Sequence, residues 1–540
     1  MAKWQLIIPA LIGGSVVIGG TAAYLYLKGI PGQVGIDPNA SAKIVPDEAL
    51  MASFISGDDQ AWSKLKKFGT PEAQKIFSDG FSAFTSNIEA SAAAQDIDVE
   101  KDVLPWVGSV MVALMPAEQS EPQPLMVIGI KDKLAALNFA NKMKGKGQSS
   151  VKEQDYKGIK VLEDTKSQSF LAILENHLLV ANNQKTIELA IDTSKGDPSL
   201  ASESASEMKD VLKDFKNPVA QVYIPNYATF VKSASAAATS PIPSQFLDQL
   251  NQVKSVVVGL GIEDQGLRMR AIATLNSDAQ KWTYKLIPGT VLSKFPEDTL
   301  ALVSGSGISE SWKAGVEQLN AVPELKQALE QTRQQLQQAT QLNLDRDLLG
   351  WMDGEYAFAL IPSKEGLLAE LGFGGALLLE TSDRTTAEKT YGKLDTFATK
   401  NLLQLKQREI EGTQVTEWQI PVQGTLMSHG WLNQDTTFLA LGGPMADILA
   451  SKPSKTLDSS KMFQAATASL PKENAGYFYV NMEQAVGVLF SNPLIAQSPW
   501  LTPETKAVLQ SMRAVGATTS QLNDTTLQTD VVMALQPVSK

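Results

Sequence analysis

Asp98-Val99-Glu100-Lys101-Asp102-Val103-Leu104-Pro105-Trp106 returns later in the chain as Asn343-Leu344-Asp345-Arg346-Asp347-Leu348-Leu349-Gly350-Trp351, with polar and apolar classes agreeing at almost every position. The agreement keeps its order outward from this segment, which is the mark of an internal repeat. Upstream, Val45-Pro46-Asp47-Glu48-Ala49-Leu50 matches Phe295-Pro296-Glu297-Asp298-Thr299-Leu300, and Ser56-Gly57 and Trp62 match Ser306-Gly307 and Trp312. Pro71 and Pro323 each open a helical stretch, where a missing N–H does no harm. Downstream, alternating apolar runs predict half-buried antiparallel strands at Ser109–Leu114 and Tyr356–Ile361, then at Leu125–Ile130 and Ala376–Glu380. Helices follow at Lys133–Met143 and Thr386–Phe397, and strands return at Leu178–Ala181 and Phe438–Leu441. Strands at Ala220–Ile224 and Gly476–Val480 lead to a final hairpin in each copy, Ser255–Ile262 with Leu267–Leu275 and Ala514–Thr519 with Thr526–Leu535. The expected fold class is α+β: two tandem copies of an antiparallel-sheet-plus-helices domain, at 44–290 and 291–540.

Ahead of the repeat, Trp4–Leu27 carries no charge and is bracketed by Lys3 and Lys28, with Trp4, Tyr24 and Tyr26 near its ends. A helix of that length spans about 33 Å, enough for a hydrocarbon core of about 30 Å. Residues 1–30 therefore predict a short cytoplasmic stub and a single transmembrane anchor, and 31–43 an extended linker. Thr21-Ala22-Ala23 is compatible with signal cleavage, but the apolar run is long for a signal peptide. A short N-terminus before a large folded body predicts an extracytoplasmic body, in a periplasm or thylakoid lumen. Ser15, Gly19 and Ala23 form a smooth face on which such a helix could pair.

The 540 residues include 47 basic and 58 acidic side chains, a net charge of -11, and no long basic run, which argues against nucleic acid as a partner. The absence of cysteine excludes disulfides, thiol nucleophiles and thiolate metal sites. With only His177 and His429, a histidine-rich metal site is excluded as well.

The anchor, the Pro-acidic-acidic-x-Leu motifs (Pro46 to Leu50, Pro296 to Leu300) and the Asp-to-Trp segments (Asp102 to Trp106, Asp347 to Trp351) are together similar to an uncharacterised, mainly cyanobacterial family of membrane-anchored proteins, a domain of unknown function. The resemblance covers nearly the whole chain. It implies a bacterial membrane setting, plasma or thylakoid, and supplies no catalytic residue.

Candidate chemistry is sparse. Asp98, Glu100 and Asp102, like Asn343, Asp345 and Asp347, place oxygen ligands at alternate positions, as at the start of a calcium loop, but Val103 and Leu348 stand where such a loop needs glycine. The plainer reading is that they cap a short element running into a buried Trp. Ser63-x-x-Lys66 lacks partner motifs, Ser304–Gly307 lacks nucleophile-elbow spacing, and Gly372–Gly375 leads into a strand rather than out of one. His177 falls in a hairpin turn, and His429 is not at the matching position of the other copy. No catalytic residue and no cofactor is expected. Leu489, Phe490, Leu494, Ile495, Trp500 and Leu501 form an apolar, Pro-punctuated stretch suited to a bilayer surface or a protein, or to folding back on its own domain. The reading is a membrane-anchored, non-enzymatic binding or scaffold protein with a membrane or membrane-associated protein partner. The alternative is a carrier of an apolar lipid or pigment, in a groove lined by Phe77, Phe81, Phe84 and Ile88; an enzyme ranks third.

Overall fold

The computed structural model describes residues 37–76, 97–116, 122–143, 151–165, 168–236, 250–277, 285–320, 322–491, 498 and 501–538. The expected anchor and the Phe77–Ile88 groove lie outside them, and among the described residues no helix is long and apolar enough to cross a membrane. The end of the predicted extended linker is instead a short helix, Pro38–Ala42. Asp37 caps it, accepting from the Asn39 amide at 2.9 Å, and Pro38 occupies the first turn.

The fold is α+β with a large antiparallel sheet, and the chain falls into two compact units, 1–281 with 525–528 and 538–540, and 282–524 with 529–537. In the first unit the strands are β1 (Met51–Ser56), β2 (Val107–Met115), β3 (Gln123–Ile130), β4 (Val151–Tyr156), β5 (Ile159–Asp164), β6 (Ser169–Leu174), β7 (His177–Ala181), β8 (Pro218–Ile224), β9 (Val253–Glu263) and β10 (Gly266–Leu275). They run side by side as β4-β5-β6-β7-β3-β2-β1-β8-β9-β10, each pair antiparallel. Alternation sends Ala52, Phe54, Met111, Ala113, Leu125, Val127 and Leu179 to one face. Ile187, Ala190 and Ile191 of the helix Gln184–Ser194 cover that face. On the opposite face Trp106, Met126, Phe139, Leu171 and Val180 form a second core.

The second unit contains β11 (Ala301–Ser306), β12 (Glu355–Pro362), β13 (Phe373–Glu380), β14 (Gln404–Ile410), β15 (Thr413–Ile420), β16 (Gly424–Trp431), β17 (Thr436–Leu441), β18 (Tyr477–Val480), β19 (Met512–Asn523) and β20 (Thr526–Leu535). Their order, β14-β15-β16-β17-β13-β12-β11-β18-β19-β20, is that of the first unit, element for element. Leu302, Ala357, Ala359, Ile361, Leu378, Phe438 and Tyr479 are buried beneath Met445, Leu449 and Phe463 of short helices. Burying each large side chain of this kind contributes about 1.5–3 kcal/mol.

Candidate interaction surface

The Asp-to-Trp segments are structural. Each forms a single wide turn, Val99–Val103 or Leu344–Leu348, capped reciprocally. Asp98 accepts from the Lys101 amide at 3.1 Å while its own amide donates to Asp102 at 2.8 Å. Asn343 and Asp347 repeat the arrangement at 2.9 and 3.1 Å. The following indole donates back to the turn, Trp106 to Asp102 O at 2.9 Å and Trp351 to Asp347 O at 3.1 Å. Lys142 and Lys393, on the helices Lys133–Met143 and Arg384–Lys400, pair with Asp102 and Asp347 respectively. The Arg346 guanidinium, together with the Asn343 amide and Lys393, holds the Asp347 carboxyl well below the usual carboxylate range. Asp345 accepts from Trp312 and Arg333, both at 2.7 Å. Asp98, Asp102, Asn343, Asp345 and Asp347 are thus placed as caps and ion-pair partners, Glu100 lies in the first turn of its segment, and among the described residues no group of three or more His, Asp or Glu is arranged to hold a metal ion.

The two histidines sit in unlike surroundings. His177 begins β7 instead of lying in the preceding turn, because Glu175-Asn176 alone closes the hairpin with Glu175 at φ 50°. It is 3% exposed, its Nε2 lies 3.4 Å from Ser41 Oγ, and burial pushes the imidazole down to about 4. Nδ1 has no hydrogen-bond partner. His429 Nε2 lies 2.9 Å from Asp395 Oδ1, which also accepts from the Trp418 indole at 2.7 Å. The His429 ring stacks on Tyr391 at 4.5 Å. The Tyr391 hydroxyl is 3.0 Å from Thr437 Oγ1, and burial pushes its pKa up. Among the described residues His429 meets Asp395 and the rings of Tyr391 and Trp418, which is not a Ser-His-Asp arrangement.

Among the described residues, cavities of about 400 and 350 Å³ open in the first unit. The larger is lined by Asp47, Tyr223, Asn226, Asn251, Lys254 and Asn276 among others, and the smaller by Asp47, Glu48 and Asp197 among others. Apolar residues share both walls, Leu200 and Val253 in the larger and Leu189 and Pro198 in the smaller. Asp47 belongs to the Pro-acidic-acidic-x-Leu motif; its counterpart in the second unit, Glu297, pairs with Lys455 at 3.0 Å.

Of the predicted contact residues, Leu489 and Phe490 are half-buried on the helix Met482–Ser491, with Lys506 5.7 Å above the Phe490 ring. Leu501 is buried. Leu494, Ile495 and Trp500 lie outside the described residues.

An apolar surface instead emerges on the outer face of the second unit's sheet. One row of paired residues crosses five strands: Phe478, Val303, Phe358, Leu377, Leu439. Phe478, Val303 and Phe358 are 45%, 44% and 46% exposed, although they sit on interior strands. The corresponding row of the first unit reads Val222, Ser53, Val112, Met126, Val180, with Met126 and Val180 buried. The second unit therefore carries larger apolar side chains where its own fold covers them less. Sequence reasoning missed these residues, but a signal existed: β12 reads Glu-Tyr-Ala-Phe-Ala-Leu-Ile-Pro, apolar on both faces, whereas a half-exposed antiparallel strand normally alternates with polar residues.

These features define a two-unit α+β protein with open cavities of mixed lining in one unit and an apolar sheet face in the other. The chain belongs to the DUF3352 family of proteins of unknown function, whose profile matches residues 10–535. No curated protein matches it. Among solved structures it is similar to TP0453 in crystal forms IV, III and I, at 12%, 11% and 12% identity and a TM-score of 0.27 in each case. Those likenesses cover 44%, 46% and 46% of this chain and 81%, 83% and 82% of the other, and carry no functional argument.

Proposed function

We propose that the chain is a membrane-anchored, non-enzymatic binding protein whose body is one domain present twice, over 44–290 and 291–540, and whose second copy docks a membrane-associated protein. Trp4–Leu27 is the single span, with the N-terminus cytoplasmic and the body extracytoplasmic. The repeated strand order supports duplication. The observation that carries the docking reading is the exposed Phe478–Val303–Phe358 row, because solvent-facing aromatics contiguous across a sheet are a feature of interaction sites.

The test is gentle detergent purification of the full chain from native membranes, with mass spectrometry of co-purifying proteins and extractable small molecules. A near-stoichiometric partner is expected, and Phe358→Ser with Phe478→Ser should weaken its binding at least tenfold while leaving the fold intact. A partner retained unchanged by that double variant removes this face from the interaction. The carrier alternative needs a cavity lined by apolar side chains, whereas the walls of the first unit's cavities mix acids and amides with apolar residues such as Leu189, Leu200 and Val253. Recovery of one specific lipid or pigment without a protein partner would transfer the function to it.

A further inference from the structure

Glu355 begins β12 and Glu380 ends β13, and both carboxyls meet one hydroxyl. Thr290 Oγ1 lies 2.7 Å from Glu355 Oε2 and 3.1 Å from Glu380 Oε1. The Thr290 amide also donates to Glu355 Oε2 at 3.1 Å. A hydroxyl has a single hydrogen, so it cannot donate to two carboxylates at once. Both contacts become hydrogen bonds when one carboxyl is protonated and donates to the threonine oxygen. Glu355 Oε2 already accepts from the Thr290 amide and lies nearer the hydroxyl than Glu380 does, 2.7 Å against 3.1 Å, so the hydroxyl hydrogen points to Glu355. Glu380 is therefore the protonated partner: Glu380 O–H donates to Thr290, and Thr290 O–H donates to Glu355. Burial first, then repulsion from Glu355 and Asp435, raises the Glu380 pKa, against the opposing effects of the Thr290 hydrogen bond and Lys294.

Thr290 opens the short helix Thr290–Lys294, just after Gly289 in the left-handed region at φ 74°. Val291 and Leu292 are buried, so this helix is held by its apolar side chains, whereas Thr290 itself is held by the two acids. We propose that Thr290, Glu355 and Glu380 form a proton-operated latch that fastens the residues leading into this helix to the sheet of the second unit. The first unit has no equivalent, because Ser109 and Gly129 occupy the corresponding ladder positions. The inference is independent of the docking reading.

The direction follows from linkage. The attached state holds a proton on Glu380 that the detached state releases above the ordinary value of 4.5. Attachment is therefore strongest below that pH, weakens as pH rises through the interval up to the raised value, and levels off beyond it. Within that interval the opening equilibrium changes by as much as tenfold per pH unit.

Hydrogen exchange of the full chain, read by mass spectrometry on peptides spanning 285–294 and corrected for intrinsic exchange, tests this between pH 4.5 and 8. Protection should fall as pH rises. Glu380→Gln, which mimics the protonated acid, should abolish the fall; Asp435→Asn should move it to lower pH and Lys294→Gln to higher pH. A pH-independent profile in the wild type overturns the latch, as does a fall that persists in Glu380→Gln. Suppression of the fall by millimolar calcium or magnesium also overturns it, since a bridging cation would then be holding the carboxyls. Should Glu380→Gln not fold, the opposite shifts of Asp435→Asn and Lys294→Gln decide the matter, and identical profiles in those two variants refute it.

Discussion

Replacing Arg408 with Met would isolate an ion network that ties the β14–β15 hairpin to the body of the second unit. Arg408 Nε donates to Glu417 at 2.6 Å, and its two terminal nitrogens reach Asp447 at 2.7 and 2.6 Å. The two contacts are unequal. Asp447 is 46% exposed, so solvent screening limits its share to about 1 kcal/mol or less. The Glu417 side chain is 4% exposed, and stranding a buried charge costs about 3–5 kcal/mol. That figure is reduced here because Arg408 is itself 30% exposed and because Gln419 at 2.9 Å and Thr425 at 3.3 Å still donate to the other Glu417 oxygen. The net expectation is about 2–3 kcal/mol, or roughly 5–10 °C in Tm for a unit of this size. Urea unfolding followed through tryptophan fluorescence reads it, since Trp418 adjoins Glu417; the second unit's transition is fitted separately because a two-unit chain need not unfold in one step. Arg408→Met combined with Glu417→Leu should recover stability to within about 1 kcal/mol of wild type, because an apolar pair avoids the desolvation cost. A loss below about 1 kcal/mol in the single variant, or a double variant as unstable as the single, would refute the reasoning.

His177 is held neutral with its pKa at about 4, below the ordinary 6.5, so only the unfolded chain gains a proton on acidification between those values. The first unit should lose up to about 3 kcal/mol as pH falls from 6.5 to 4, and His177→Gln should flatten that slope in acid-side denaturation curves. Gly476 adopts φ 137°, and a Cβ there would stand 2.0 Å from the Ser304 carbonyl oxygen. Gly476→Ala should therefore cost about 3 kcal/mol or more by displacing β18 from β11, measurable in the same unfolding assay.

The sheet-and-helix order could be read from the sequence because its signals are local. Alternating runs mark β2, β9, β19 and β20, and Trp106 and Trp351 fall at the same point of the same capped turn. The helix expected at Thr386–Phe397 runs over Arg384–Lys400, its start set by Asp383, which caps it through the Thr386 amide. The outer-face row was not legible, since Phe478, Val303, Phe358, Leu377 and Leu439 are scattered over the chain and become neighbours only through register. The Thr290–Glu355–Glu380 cluster escaped likewise: each residue is ordinary alone, and only the ladder brings the two acids to one hydroxyl.

Comparison of the units by register separates what the fold requires from what it leaves free. On the inner face, Phe54 aligns with Ser304, Met111 with Ala357 and Leu179 with Phe438, so volume shifts between neighbours while every position stays buried. Elsewhere the changes alter chemistry rather than volume. Leu171 gives way to His429 with its Asp395 partner, Ser109 to Glu355, and the Val222–Ser53–Val112 row to Phe478–Val303–Phe358. A core needs none of these replacements, and two of them bring ionisable groups into buried positions, where they cost free energy unless paired. The first unit bears a cost of that kind at His177, whereas the Glu355–Glu380 pair and the exposed Phe478–Val303–Phe358 row have no counterpart there, and they direct the search for function to the second unit's outer face and its acid pair.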